Sequence, residues 1–217
     1  MKNLSLNNIK KYFILSLFLL TACTNTEKLY KNNQYRISTV NENGNGYVLN
    51  LYFNKTSIKD IFKVSSNNID GEYKEFYPSG KLKYLINYKE GNQEGIAKKY
   101  YENGKLALEG FFIDDLPNGK FTYYFDNGNI SKIENYHNGY LDGEYIEYYE
   151  NNKIKIKVSY SDGYKIGDYF SYYENGKLKE TGKYVTGKRN GIWKYYNENG
   201  KLISKNDYAD KGYIRIE

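Results

Sequence analysis

The sequence predicts an all-β protein, an elongated antiparallel meander of 24-residue β-hairpin repeats in a single twisted sheet. Three observations support this fold class. A glycine recurs every 24 residues, each unit carries aromatic or aliphatic residues at the same offsets, and no gap interrupts the period across 144 residues. A strict period of this length indicates units that bury their apolar surface against neighbouring units. The recurring glycines are Gly71, Gly95, Gly119, Gly143, Gly167 and Gly191.

We number the positions of each unit from its glycine and call them slots. The fifth and seventeenth slots are aromatic in every unit, as in Tyr172 and Tyr184, and the eleventh is always Leu or Ile, as in Leu178. Because these residues occur in every unit, we interpret them as structural residues that define the repeat. The fifth-slot aromatics are Phe76, Tyr100, Tyr124, Tyr148, Tyr172 and Tyr196.

The first 22 residues have the pattern of a bacterial lipoprotein signal peptide. Three lysines precede an apolar run of nine residues, 12–20, which is too short to cross a bilayer as a helix. The following Leu-Thr-Ala-Cys resembles a lipobox, and this resemblance implies cleavage after Ala22 and lipidation of Cys23. Cys23 is the only cysteine, so no intrachain disulfide can form. An ordinary secretory signal with an incidental cysteine is the alternative.

The remaining segments follow in order. Residues 23–46 are polar and lack an apolar period, so we predict a flexible tether. Residues 47–70 match the slots without the glycines and are predicted to be a degenerate capping repeat, while residues 71–217 hold six repeats and a short tail. Without its signal the chain carries a net charge of +3, with Lys and Glu interleaved. This charge pattern argues against a nucleic-acid partner.

Each unit is predicted to fold as strand, turn and strand. In the first unit Leu82, Tyr84, Ile86 and Tyr88 alternate along a strand. Later units place Glu-Asn-Gly-Lys between the two strands, and Asn-Gly predicts a tight hairpin with both residues at positive φ. A second, longer turn, typified by residues 89–95, is predicted to close each unit.

The repeat unit resembles the bacterial variant of the MORN repeat (membrane occupation and recognition nexus). The resemblance rests on Gly-x-aromatic-x-x-aromatic-aromatic-x-Asn-Gly-x-Leu, as in residues 167–187, and it covers residues 71–214. It implies scaffolding, membrane proximity and dimerisation, so a homodimer is one expected assembly. Bacterial members are often labelled antitoxin components of toxin-antitoxin systems. An export signal departs from that label, because a cytosolic toxin requires a cytosolic antitoxin.

Catalytic, cofactor and metal sites are not predicted. The only histidine is His137, which falls in a loop slot that Lys89 and Val185 occupy in other units. Asp126-Asn127-Gly128-Asn129 has a faint similarity to the start of a calcium loop, but Glu-Asn-Gly-Lys fills the same slot elsewhere, which indicates a turn. We therefore expect neither an enzyme nor a cofactor.

The 28 tyrosines leave two interpretations, packing of a one-layer sheet or contact with a partner. Aromatics in variable slots are the contact candidates, namely Phe111, Tyr123, Tyr140 and Tyr164. The sequence thus favours a membrane-anchored lipoprotein of the bacterial cell envelope that offers a non-enzymatic surface to a protein partner. An antitoxin-type binder that neutralises a toxin and a cell-wall or carbohydrate binding module are the alternatives.

Overall fold

The chain folds into antiparallel β-strands, as predicted. A computed structural model describes residues 27–31, 34–52, 57–209 and 214–216, and no helix occurs in these ranges. None of the described residues therefore offers a helix suited to crossing a membrane. The signal peptide and Cys23 lie outside the described residues. The chain divides into two units, one of residues up to Lys81 with Tyr88–Gly91, the other of Leu82–Asn87 with Asn92 onwards.

The first unit contains four antiparallel strand pairs formed by consecutive strands. Val48 and Val64 are its most buried apolar side chains, and the Phe62 and Tyr73 rings stack with their centroids 5.7 Å apart. The strands are β1 (Glu27–Lys31), β2 (Gln34–Ser38), β3 (Gly46–Leu51), β4 (Ile58–Ser65) and β5 (Asn68–Phe76). The strand β6 (Leu82–Lys89) is shared between the two units.

Two of these strands fall where the sequence predicts a tether. β1 and β2 lie within residues 23–46 and pair with each other, and β2 also pairs with β3. The sequence does not predict these two strands because they are polar. Strand pairing uses backbone hydrogen bonds, so it does not require an apolar period in the sequence. The hairpin of β3 and β4 occupies most of the segment predicted as a capping repeat, residues 47–70.

The second unit is also an antiparallel meander, in which each hairpin pairs with the next. Two short strands, β9 and β12, precede the glycine slot in their repeats. The strands are β7 (Asn92–Tyr100), β8 (Leu106–Ile113), β9 (Leu116–Pro117), β10 (Gly119–Tyr124), β11 (Ile130–His137), β12 (Tyr140–Leu141), β13 (Gly143–Tyr148), β14 (Ile154–Ser161), β15 (Tyr164–Tyr172), β16 (Leu178–Val185), β17 (Lys188–Tyr196), β18 (Leu202–Asp207) and β19 (Ile214–Ile216).

The two kinds of turn differ from the prediction. The two-residue turns, which we call short turns, close the units, and both of their residues have positive φ, 45° and 78° at Thr186 and Gly187. Such a pair matches the twist of the flanking strands. The Asn-Gly turns are the longer ones: in residues 173–177 only Gly176 has a positive φ, and its amide donates to the Tyr173 carbonyl. The predicted assignment of turn lengths is therefore wrong.

The longer turns, which we call ladder turns, are bonded to one another through their side chains. Asn175 Nδ2 donates to the Glu198 carbonyl at 2.9 Å, and Lys177 Nζ donates to the Asn199 carbonyl at 3.2 Å. The Tyr173 hydroxyl donates to the Tyr196 carbonyl at 2.7 Å. Tyr101 and Tyr149 make the same hydroxyl contact in earlier units. In the turns at 101–105, 149–153 and 173–177, the Asn, Lys and second aromatic of the motif thus bond each turn to the next.

The recurring glycines sit at irregularities in the strand pairing. Each has a positive φ, between 63° and 109°, which residues other than glycine rarely adopt. At Gly167 the register shifts, because Lys157 pairs with Phe170 while Ser159 pairs with Ile166. Between these two pairs, the single residue Val158 of β14 faces three residues of β15, 167–169, and glycine permits this bulge.

One face of the second unit, which we call the aromatic face, carries its deepest packing. Trp193 is fully buried, and its ring centroid lies 5.3 Å from that of Tyr169 and 5.0 Å from that of Tyr184. Phe121 makes similar edge contacts with Phe112 and Tyr136. Edge-to-face rings at these distances stabilise each other beyond simple burial.

The core slot is the second position after the glycine, not the fifth. Phe121, Tyr169 and Trp193 occupy this slot and are buried, whereas the fifth-slot aromatics are half-buried. A glycine of the preceding unit makes room for the largest rings. A Cβ added to Gly182 would stand 2.3 Å from Trp193, and one added to Gly110 would stand 2.3 Å from Phe121. Slot two varies in size, which is why its packing role is hidden in the sequence.

Candidate functional site

Three of the four predicted contact residues lie on the face opposite the aromatic face, close to the short turns. Phe111 is adjacent to Phe112, whose ring packs on the aromatic face, so strand alternation directs Phe111 to the other side. Tyr140 pairs with His137, whose neighbour Tyr136 also belongs to the aromatic face. Tyr164 occupies the same slot one unit later. Phe111 is 41% exposed, Tyr140 63% and Tyr164 57%.

The exposed tyrosines rest on the glycines of the following short turns. A Cβ at Gly163 would lie 3.7 Å from Tyr140 Cδ1, and one at Gly187 would lie 3.3 Å from Tyr164 Cδ1. Leu116 has the same relation to Gly139, with 3.2 Å to its Cδ2. Each side chain therefore packs against the backbone of a short turn, while about half or more of its surface is exposed to solvent.

Two aliphatic residues complete this surface and were missed in the sequence. Leu116 is 48% exposed, and Ile113, which pairs with it across the short turn, is 40% exposed. Leu116 shares its slot with Tyr140 and Tyr164, so the period itself could have identified it. We define the turn-edge surface by five of the exposed apolar side chains on this face, namely Phe111, Ile113, Leu116, Tyr140 and Tyr164. Ile96 and Val185, which are 48% and 55% exposed, also lie on this face.

The fourth predicted contact residue, Tyr123, lies elsewhere. It is half-buried on the aromatic face, with Lys132 Nζ 4.0 Å from its ring centroid. Burial raises the pKa of the Tyr123 hydroxyl, and its hydrogen bond to Glu134 raises it further. Glu134 is itself buried and forms an ion pair with Lys132 at 2.6 Å. Tyr123 is separated from the other three because strand parity places it on the opposite side of the sheet.

The aromatic face ends in a cluster of polar groups around Trp193. The Arg189 guanidinium lies 4.1 Å from the Trp193 ring centroid and forms an ion pair with Glu180 at 2.7 Å. It also donates to the hydroxyls of Tyr195 and Tyr208. The cluster shields the ring of Trp193, the last buried aromatic residue of this face, and pairs the charge of Arg189 with that of Glu180. We therefore interpret the cluster as a structural cap.

The described part of the chain shows no arrangement suited to catalysis or metal binding. No group of three or more His, Cys, Asp or Glu in it could hold a metal ion. His137 is exposed, and its Nε2 lies 3.3 Å from the Asn138 amide nitrogen beside it. The charged groups on the aromatic face are paired with one another, whereas the buried Ser171 Oγ and Asn206 Oδ1 have no hydrogen-bond partner among the described residues.

The profile of the MORN repeat variant matches the chain six times, and each match covers one hairpin. The matches are residues 69–90, 93–114, 117–138, 141–162, 165–185 and 189–210, which together cover more than half of the chain. The chain belongs to the MORN repeat variant family. No curated protein sequence matches it.

The family membership fits the geometry of the turn-edge surface. MORN repeats are commonly protein- or membrane-interaction modules, and proteins that contain them are generally non-enzymatic binding modules. In this MORN array the slots common to all units build the hairpins and ladder turns, whereas the turn-edge surface occupies slots that vary. The variable slots are therefore where this chain can differ in what it binds.

Proposed function

We propose that this chain is a lipid-anchored, extracytoplasmic MORN repeat protein that binds a protein partner through the turn-edge surface and has no catalytic role. The observation that carries the proposal is the exposure of five large apolar side chains along one edge of the second unit, between 40% and 63% each. Contiguous apolar patches are uncommon on soluble surfaces and are typical of interaction sites. Rings and branched aliphatics are also the side chains that contribute most when a partner covers them.

The proposed partner is a protein because the turn-edge surface mixes apolar and charged groups. Asp114, Asp115 and Asp162 are exposed in the short turns beside the apolar side chains. A polar rim around apolar contact residues is the usual anatomy of a protein interface. The support for anchoring comes from the lipobox, and Cys23 is the residue that would carry the lipid.

The binding claim is tested by crosslinking on intact cells that carry either the wild-type chain or a triple variant, Phe111→Ser, Tyr140→Ser and Tyr164→Ser. We expect the triple variant to retain its melting temperature and to lose most of the crosslinked partner, since exposed rings contribute to binding more than to stability. A matched control, Asp126→Asn in a ladder turn, should retain the partner. Equal crosslinking by all three chains would overturn the proposal.

The anchoring claim has its own test. Cells supplied with a fatty-acid probe should label the wild-type chain, and Cys23→Ser should abolish that label and move the chain out of the membrane fraction. A wild-type chain that never acquires the probe would refute lipidation. Such a result would leave the binding claim unaffected.

A further inference from the structure

The second unit has a marked separation of charge along its sequence. Residues 92–162 contain twelve acidic and eight basic side chains, a net charge of −4, whereas residues 163–209 contain five acidic and nine basic side chains, a net charge of +4. The turn-edge surface lies mostly in the acidic part. Its short-turn carboxylates, Asp114, Asp115 and Asp162, have no lysine or arginine within ion-pair distance among the described residues.

The basic part contains an unusual pair of like charges. Lys194 of β17 and Lys205 of β18 lie directly opposite each other, and both are exposed. Like charges in this position destabilise a sheet. Within the described residues no carboxylate is placed at ion-pair distance from either ammonium. By contrast, two lysines elsewhere on this face form ion pairs across strands, Lys98 with Glu109 and Lys157 with Glu144.

Two further residues extend this pair into a patch. Ile192 precedes Lys194 by two positions on the same face and is 51% exposed. Lys183 lies on the neighbouring strand β16, and its ion pair with Asp168 is long, 3.7 Å, and largely exposed. Asp207, which pairs with Ile192 in the sheet, uses a carboxylate oxygen to accept a bond from the Ala209 amide. We call Lys183, Ile192, Lys194 and Lys205 the basic patch.

We propose that the basic patch of one copy of this chain docks on the turn-edge surface of a second copy. The two surfaces are opposite in charge, and each carries exposed apolar side chains beside its charges, so the same chain supplies both halves of a complementary interface. The inference rests on the proposed function because it names the partner of that surface. The contact joins two different surfaces that lie on the same face, so two copies can make it twice in a closed dimer, or successive copies can make it once each in a growing chain.

Two variants isolate the two halves of the contact. Lys194→Glu with Lys205→Glu removes the basic patch and keeps the turn-edge surface. Asp114→Asn, Asp115→Asn and Asp162→Asn together remove its carboxylates, and asparagine tolerates the positive φ of 46°, 64° and 47° at these three positions. The purified full chain is studied by analytical ultracentrifugation, with circular dichroism to show that each variant is folded.

Wild-type chain should self-associate as its concentration rises and should dissociate as salt rises from about 0.01 M to about 1 M. Each variant alone should associate about tenfold or more weakly. Mixed together, the two variants should form a 1:1 dimer and nothing larger, because only one productive contact remains. A control, Lys81→Glu with Lys201→Glu, changes the net charge equally at two exposed ladder-turn positions and should associate as wild type does.

Several results would overturn the inference. A wild-type chain that remains monomeric at low salt, variants that associate like wild type, or a mixture that forms no dimer would each do so. Binding of the basic patch to anionic lipid vesicles without self-association would also refute it, and would identify a membrane as the occupant. If crosslinking on cells captures a different protein through the turn-edge surface, the proposed function survives while this inference fails.

Discussion

The aromatic face and the turn-edge surface both carry aromatic side chains, but the rings are packed together on the first and exposed to solvent on the second. Tyr169 and Tyr164 show the contrast within one strand, β15. The Tyr169 ring is 8% exposed and contacts the rings of Tyr184 and Trp193. The Tyr164 ring is 57% exposed and is supported by the backbone of Gly187. Composition alone does not separate the two roles, whereas slot and strand parity do.

The largest effect should follow from filling the space above Gly182 on the aromatic face. Gly182→Ala places a methyl group 2.3 Å from the Trp193 ring, which is fully buried. We expect a loss of about 3 kcal/mol in the free energy of unfolding, measured by urea denaturation. Trp193→Leu in the same chain should remove most of the additional cost, as a double-mutant cycle would show.

A matched glycine provides the control for that substitution. Gly167 has a positive φ of 67° and no atom within 4 Å of an added Cβ, so Gly167→Ala tests backbone strain without a clash. Its expected cost is about 1 kcal/mol. Equal costs at Gly182 and Gly167 would show that the rings of slot two are not tightly packed against the preceding unit.

Sequence and structure agree where a residue is constrained by its own repeat. The 24-residue period predicted the hairpins. It also identified the recurring glycines, because each of them has a positive φ at an irregularity in the strand pairing. It did not single out slot two as the core, because that slot contains residues of different size, Tyr73, Ala97, Phe121 and Trp193. The turn lengths were exchanged because Asn-Gly suits both turn types. Tyr123 was grouped with Tyr140 because parity across a bulge is not visible in the sequence.

A smaller effect should follow at the ladder turns. Tyr173→Phe removes the hydroxyl that donates to the Tyr196 carbonyl and leaves the ring in place. The expected loss in the free energy of unfolding is about 1 kcal/mol. Tyr164→Phe is the matched control, because the Tyr164 hydroxyl makes no comparable contact among the described residues, and its unfolding curve should overlay that of the wild type.

Alkaline pH should weaken the aromatic face gradually. Burial raises the pKa of Tyr136 to about 12, and the hydrogen bond to Glu134 contributes. Because the folded state retains this proton more tightly than the unfolded chain, the stability it contributes is complete below about pH 10 and is lost as the pH rises through about 12. Denaturation curves across this range should show the decline, and Tyr136→Phe should make it shallower. An identical slope in that variant would exclude Tyr136 as a contributor.

The central claim is that slot and facing, not residue type, decide whether a tyrosine of this array stabilises the fold or remains free for contact. The most direct measurement compares the free energy of unfolding of Tyr169→Ala with that of Tyr164→Ala. The account predicts a loss of about 3 kcal/mol for Tyr169→Ala and less than about 0.5 kcal/mol for Tyr164→Ala. Similar losses for the two variants, or a larger loss for Tyr164→Ala, would contradict it.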